Sequence, residues 1–201
     1  MNIRLVGAIA AVVSLAHVAD AGIVVTTNQD LWTANVATFG SVEVEDFNGI
    51  ADDFYTSPFG GVAGSVTWSA SAAGGLYVQD GLFSTNNPEP LTISFGPGVR
   101  AVAGNFFGTD FDFNTLTVIF QVALVDGPTY EGFAVGASTF TGFRGTNGEL
   151  ISSLTLTVVN PQGSPAVYPT VDNLFFGVVP APGAAALLGA AGLVGVTLRR
   201  R

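Results

Sequence analysis

Between residues 22 and 179, hydrophobic and polar side chains alternate with a period of two in segment after segment. Leu91, Ile93 and Phe95 alternate with Thr92 and Ser94. Leu116, Val118, Phe120, Val122 and Leu124 fall on one face of an extended segment. Leu154, Leu156 and Val158 alternate with Ser153, Thr155 and Thr157. Successive side chains of a strand point to opposite faces, so each run predicts a half-buried strand of an antiparallel sheet. Turn dipeptides separate the runs: Asn48-Gly49, Asp80-Gly81, Asp126-Gly127-Pro128 and Asn147-Gly148. One short helix is predicted near the start, where Thr27-Asn28-Gln29-Asp30 has capping-box character and leads into Leu31, Trp32 and Val36. Many strands with apolar faces rich in Phe, Val and Leu predict an all-β fold, an antiparallel β-sandwich of about nine or ten strands in a jelly-roll-like arrangement. Sixteen phenylalanines against 10% charged residues imply a large core.

The two ends break this pattern. Residues 1–21 carry Arg4, then an apolar core from Leu5 to Leu15, then Ala19-Asp20-Ala21. A positive start, a short apolar core and an Ala-x-Ala site define a secretory signal peptide, cut by signal peptidase after Ala21. The core is too short to span the roughly 30 Å of a bilayer interior as a helix. Residues 180–201 read Pro180-Ala181-Pro182-Gly183, then fifteen residues from Ala184 to Leu198 without charge or proline, then Arg199, Arg200 and Arg201. As a helix the apolar stretch would be roughly 22 Å long, short for a bilayer but tolerable with thinning or snorkelling. Its arginines would stay on the cytoplasmic side. Gly189, Gly192 and Gly195 give it a smooth face for close helix packing. The two prolines keep the junction extended and open to a processing enzyme.

This Pro-x-Pro, small-residue helix and terminal Arg cluster resembles the PEP-CTERM sorting signal of Gram-negative bacteria, here in a Pro-Ala-Pro-Gly variant. The resemblance covers about 22 residues. It implies export through the inner membrane, transient anchoring by residues 184–198, and processing near Pro180–Gly183 by an exosortase-type transpeptidase. Delivery to the cell surface or extracellular matrix would follow. A GPI signal would end apolar, and a sortase signal would need Leu-Pro-x-Thr-Gly, which is absent.

Charge narrows the chemistry. The chain has a net charge of −9, no lysine, and six arginines, four of them in the terminal segments. Residues 22–180 hold two arginines against fourteen acids, a net charge of −12. Such a surface repels phosphate backbones, so nucleic acid is not an expected partner, and neutral glycans or divalent cations fit better. Cysteine is absent and the lone histidine, His17, lies in the signal peptide. The mature chain therefore lacks the groups for disulfides, Ser-His-Asp catalysis, His or Cys zinc sites and Schiff bases.

What remains is carboxylate, hydroxyl and aromatic chemistry. Glu43 and Glu45 share a face of an early strand, and Thr170 to Gly177 reads as the final strand, with Asp172-Asn173 inside it. The pair of motifs resembles secreted β-sandwich domains found beside PEP-CTERM signals and, more loosely, carbohydrate-binding jelly rolls. That resemblance implies a structural calcium shared by first and last strands, with Glu45, Asp46 and Asp172 as ligands beside backbone carbonyls. Asp110 and Asp112 form a second acidic pair in a loop, a further candidate metal site. A glycosidase would need two acids at a defined separation across a cleft, and no motif selects such a pair. Sugar binding would need exposed rings, for which Trp32, Tyr55, Trp68, Tyr77, Tyr130 and Tyr168 are the candidates. The expectation is a secreted, non-enzymatic, structural or adhesive surface protein. A calcium-dependent carbohydrate-binding module stands as the alternative, and a glycoside hydrolase after it.

Overall fold

The computed structural model describes residues 22–112, 114–134, 139–158 and 166–180. The segment expected to be a signal peptide, 1–21, and all but Pro180 of the expected sorting signal, 180–201, lie outside the described residues. Among the described residues no helix is long and apolar enough to cross a membrane.

The chain begins with β1 (Ile23–Thr26), α1 (Gln29–Val36), β2 (Ser41–Glu45), β3 (Asp53–Tyr55) and β4 (Phe59–Ala63). It continues through β5 (Val66–Ser71), β6 (Leu76–Gln79), β7 (Leu82–Thr85), β8 (Leu91–Phe95) and β9 (Val99–Thr109). Then follow β10 (Thr115–Leu116), β11 (Val118–Leu124), β12 (Thr129–Ala134), β13 (Phe140–Gly145), β14 (Ile151–Val158) and β15 (Tyr168–Val178). These fifteen strands exceed the nine or ten expected. The surplus comes from strands of two to four residues, such as β10 and β3, which are too short to display a period.

Two antiparallel sheets form a sandwich. The first runs β1-β13-β9-β15-β7-β6-β3, with β10 added on β9 and β2 on β15. The second runs β12-β11-β14-β8-β5-β4. Alternation explains the packing between them. Leu91 and Ile93 of β8, Val118, Phe120 and Val122 of β11, and Leu154 and Leu156 of β14 are buried on one side. They meet Phe83, Phe106, Phe143, Val171, Leu174 and Phe176 of the first sheet in one continuous core. β9 shows no alternation because it is covered on both faces: α1 lies over the outer side of the first sheet. There Trp32 and Val36 pack with Ala101, Ala103 and Phe140 in a second, smaller core. Asn28 caps the helix, its side-chain oxygen accepting from the N–H of Leu31 at 2.9 Å. The Asp80-Gly81 turn joins β6 to β7 with both residues at positive φ, 50° and 75°, as a two-residue hairpin requires.

Both ends of the described domain emerge together. The Gly22 carbonyl accepts from Thr146 N–H at 2.9 Å, just beyond β13. The N–H of Val179 donates to Gly98 O at 2.9 Å, just before β9. Because β9 is antiparallel to both β13 and β15, these two junctions share one end of the first sheet.

Candidate functional site

α1 covers only part of the outer face of the first sheet. The uncovered part, toward β6 and β3, carries an open groove of about 220 Å³. Strand alternation places its side chains. In β6, Leu76 and Val78 are fully buried, so Tyr77 and Gln79 point outward. In β7, Phe83 is buried, so Leu82 and Ser84 face the same way. β15 adds Tyr168 and Thr170, and the end of β9 adds Thr109.

The floor is a row of hydroxyls crossing three strands. Ser84 Oγ lies 3.1 Å from Thr170 Oγ1, and Thr170 Oγ1 lies 3.0 Å from Thr109 Oγ1. The rim is aromatic. Tyr77 is 39% exposed, and Phe111 is 74% exposed. Phe111 stands edge-on to Tyr168, ring centres 5.3 Å apart. Asp110 braces the loop that carries Phe111. The Asp110 carboxylate accepts from the N–H of Asp112 at 2.9 Å, the N–H of Asn114 at 2.9 Å and the Asn114 amide at 3.0 Å. This closes the loop into a tight return to β10, with Phe111 near its tip. The Asn114 side chain, more than any other group, holds the Asp110 carboxyl below its ordinary value of 3.8. The brace is therefore present above that value and is lost as pH falls through the lowered one.

The candidate rings separate clearly. Tyr77 and Tyr168 line the groove. Trp32 and Trp68 are core residues, 1% and 3% exposed. The indole N–H of Trp32 donates to Phe143 O at 3.3 Å. Tyr55 is half-buried against Phe59, with its hydroxyl donating to Ala51 O at 2.7 Å. Tyr130 is exposed on β12, at the edge of the other sheet. Phe111 was legible only as the residue between two acids; nothing in its neighbourhood announced an exposed ring.

The acids expected to share calcium are not brought together. Glu45 pairs opposite Leu174 and turns toward the sandwich interior. One of its oxygens accepts from Phe47 N–H and the other from the Trp68 indole N–H, each at 3.1 Å. An inward acid on an edge strand also discourages edge-to-edge pairing. Asp46 accepts from Asn48 N–H at 3.1 Å in an exposed turn. Asp172 stands opposite Asn105 on the outer face. The cause of the split is a bulge in β15, where Asn173 adopts φ 54° and inserts one extra residue between Asp172 and Leu174. Among the described residues no three acidic, histidine or cysteine side chains form a group able to hold a metal.

Burial raises the Asp172 carboxyl above its ordinary value of 3.8. A raised carboxylate favours the folded state most when protonated, so its contribution is fully present below 3.8 and lost as pH rises through the folded value. Asp172→Asn keeps the carbonyl that accepts from Asn173 Nδ2 at 2.6 Å and removes the charge. The variant is expected to melt higher than the wild type at neutral pH, with the difference vanishing in strong acid. Thermal melts across that range check it.

The sequence matches no protein-family model and no curated protein. Among solved structures, a carbohydrate binding module of family 29 is similar to this chain over 63% of the chain and 87% of the module, with a TM-score of 0.38 and 8% identity. At that level the likeness carries no weight for function.

Proposed function

We propose that residues 22–179 form a non-enzymatic glycan-binding module on an exported, surface- or matrix-directed protein. The observation that carries the reading is the groove itself: Tyr77, Phe111 and Tyr168 around a floor of Ser84, Thr109 and Thr170 hydroxyls. Aromatic rings cover the apolar C–H faces of a pyranose, while half-buried Ser84 and the amide of Gln79 meet its edges; Thr109 and Thr170 are buried and brace the floor from beneath. Neither arginine of the domain lines the groove, which favours uncharged sugars.

Hydrolysis fits poorly. A glycosidase places two carboxyls across its cleft, one of them raised so that it can donate a proton. Asp110 is the one acid lining this groove; it is already engaged by its own loop and is shifted the wrong way. We read the sandwich as jelly-roll-like and its export as exosortase-dependent, with Pro180–Gly183 as the processing site and Arg199–Arg201 as the cytoplasmic stop. No calcium is required in this reading, because Glu45 is committed to Trp68 and Asp172 faces the other side of the sheet.

The test is retention of the full-length chain, purified in detergent, on immobilised neutral glucans and mannans and on a polyuronate. Binding to at least one neutral polymer, equal in calcium and in EDTA, and none to the polyuronate is expected. Absence of binding to every neutral polymer removes the glycan reading and leaves a structural surface protein.

A further inference from the structure

The groove is one end of a longer row. In the pairing of the first sheet, Phe54 of β3 stands opposite Tyr77 of β6, Tyr77 opposite Ser84 of β7, Ser84 opposite Thr170 of β15, and Thr170 opposite Phe107 of β9. Directly opposed residues share a face, so Phe54 points outward with Tyr77. Its neighbour Tyr55 turns inward onto Phe59, which confirms the alternation. Phe54 is 46% exposed although it lies outside the groove. Its ring lies against Gly75, where a β-carbon would collide with it, and Gly75 also holds φ +91°. Glycine here leaves space for the ring to lie down on the sheet.

Resting on the glycan-binding reading, we infer that this row is a platform for an extended, unbranched, uncharged polysaccharide running across the strands from Phe54 to Phe111. Neighbouring strands lie about 4.8 Å apart, close to the length of one sugar in a flat, equatorially linked chain. From β3 to β9 the row crosses four such spacings, which is room for about four sugars; Thr170 and Phe107 within it are buried, so contact over β15 and β9 falls to Tyr168 and Phe111. Phe54 then covers a sugar beyond the groove, as Tyr77, Tyr168 and Phe111 do within it. β3 is the last strand of the sheet, so the polymer leaves the platform at an open edge. Charge selects the class of ligand. Asp53 and Asp110 stand near the two ends and no arginine lines the groove, so a polyanion is repelled along the path.

The experiment is calorimetric titration of the full-length chain with neutral β-1,4-linked gluco- and manno-oligosaccharides, from the disaccharide to the hexasaccharide. Affinity is expected to rise with length and level off near the tetrasaccharide or pentasaccharide. Phe54→Ala is expected to weaken hexasaccharide binding about tenfold, the usual scale for loss of one aromatic anchor, and to leave the disaccharide unaffected. Phe54→Trp retains the hexasaccharide affinity, which separates ring loss from damage to the fold. If Phe54→Ala leaves the hexasaccharide unchanged while Tyr168→Ala abolishes binding, the extended platform is wrong and the groove reading stands. If no oligosaccharide binds, or Tyr168→Ala has no effect either, both fail.

Discussion

Tyr168→Ala is expected to reduce affinity for a neutral oligosaccharide by roughly ten- to a hundredfold, about 1.4 to 2.7 kcal/mol, with little change in the far-ultraviolet circular dichroism spectrum. Tyr168 occupies the first position of β15, where its backbone is held by pairing to Thr109. Its ring is half-buried and does two things at once. It offers a face to the groove, and its contact at 5.3 Å steadies Phe111, which is otherwise exposed. Removing it takes away one anchor and loosens a second. Tyr168→Phe keeps both ring contacts and is expected to retain most of the affinity. A titration of the two variants against the wild type decides the matter: equal losses would mean that the hydroxyl, not the ring, is recognised.

Trp68→Ala is expected to be the most damaging of these substitutions for stability, costing about 3 to 5 kcal/mol. The indole is 3% exposed and packs edge-on against Phe47 and Phe83, both at 5.7 Å, and against Phe59 at 6.2 Å. Alanine leaves a large void between the sheets. It also strips Glu45 of the indole N–H, leaving a half-buried carboxylate oxygen without that donor, a further penalty of about 1 to 3 kcal/mol. Set against a typical total of about 5 to 15 kcal/mol, the two losses together bring the domain close to unfolding. Trp68→Ala paired with Glu45→Gln in a denaturant double-mutant cycle measures the coupling directly. Additive losses would show that the indole–carboxylate contact contributes nothing beyond packing.

These expectations depend on features of unequal visibility in the sequence. β8, β11 and β14 were readable because one side of each is buried and the other is half-covered, and that contrast writes itself as alternation. β9 was not readable, because α1 covers its outer side and the two faces carry similar residues. The helix start was visible within one residue: Asn28 rather than Thr27 supplies the capping oxygen. Residue type located the aromatics but not their exposure, so Trp32 and Trp68 stood as candidate sugar platforms while Phe54 and Phe111 passed unnoticed. Glu43 and Glu45 were correctly placed on one face, yet their inward direction depends on which side of β15 faces the core. That side is set by the bulge at Asn173. Asparagine is among the few residues that tolerate positive φ, so Asp172-Asn173 within an apolar run was the sequence's one hint that the period would slip there.

The emergence of Gly22 and Pro180 at one end of the first sheet has a consequence for display. From Tyr168 to Val178, β15 advances by ten residues, roughly 33 Å at the rise of an antiparallel strand. The groove lies at the beginning of that strand and the Pro180 junction follows its end. Gly22 sits beside the same far end, about three strand spacings away across β13 and β9, or roughly 14 Å. A tether leaving from Gly22 or from Pro180 would therefore hold the sandwich upright like a blade on its stem. The groove would then stand at the far tip, about one strand length from the point of attachment.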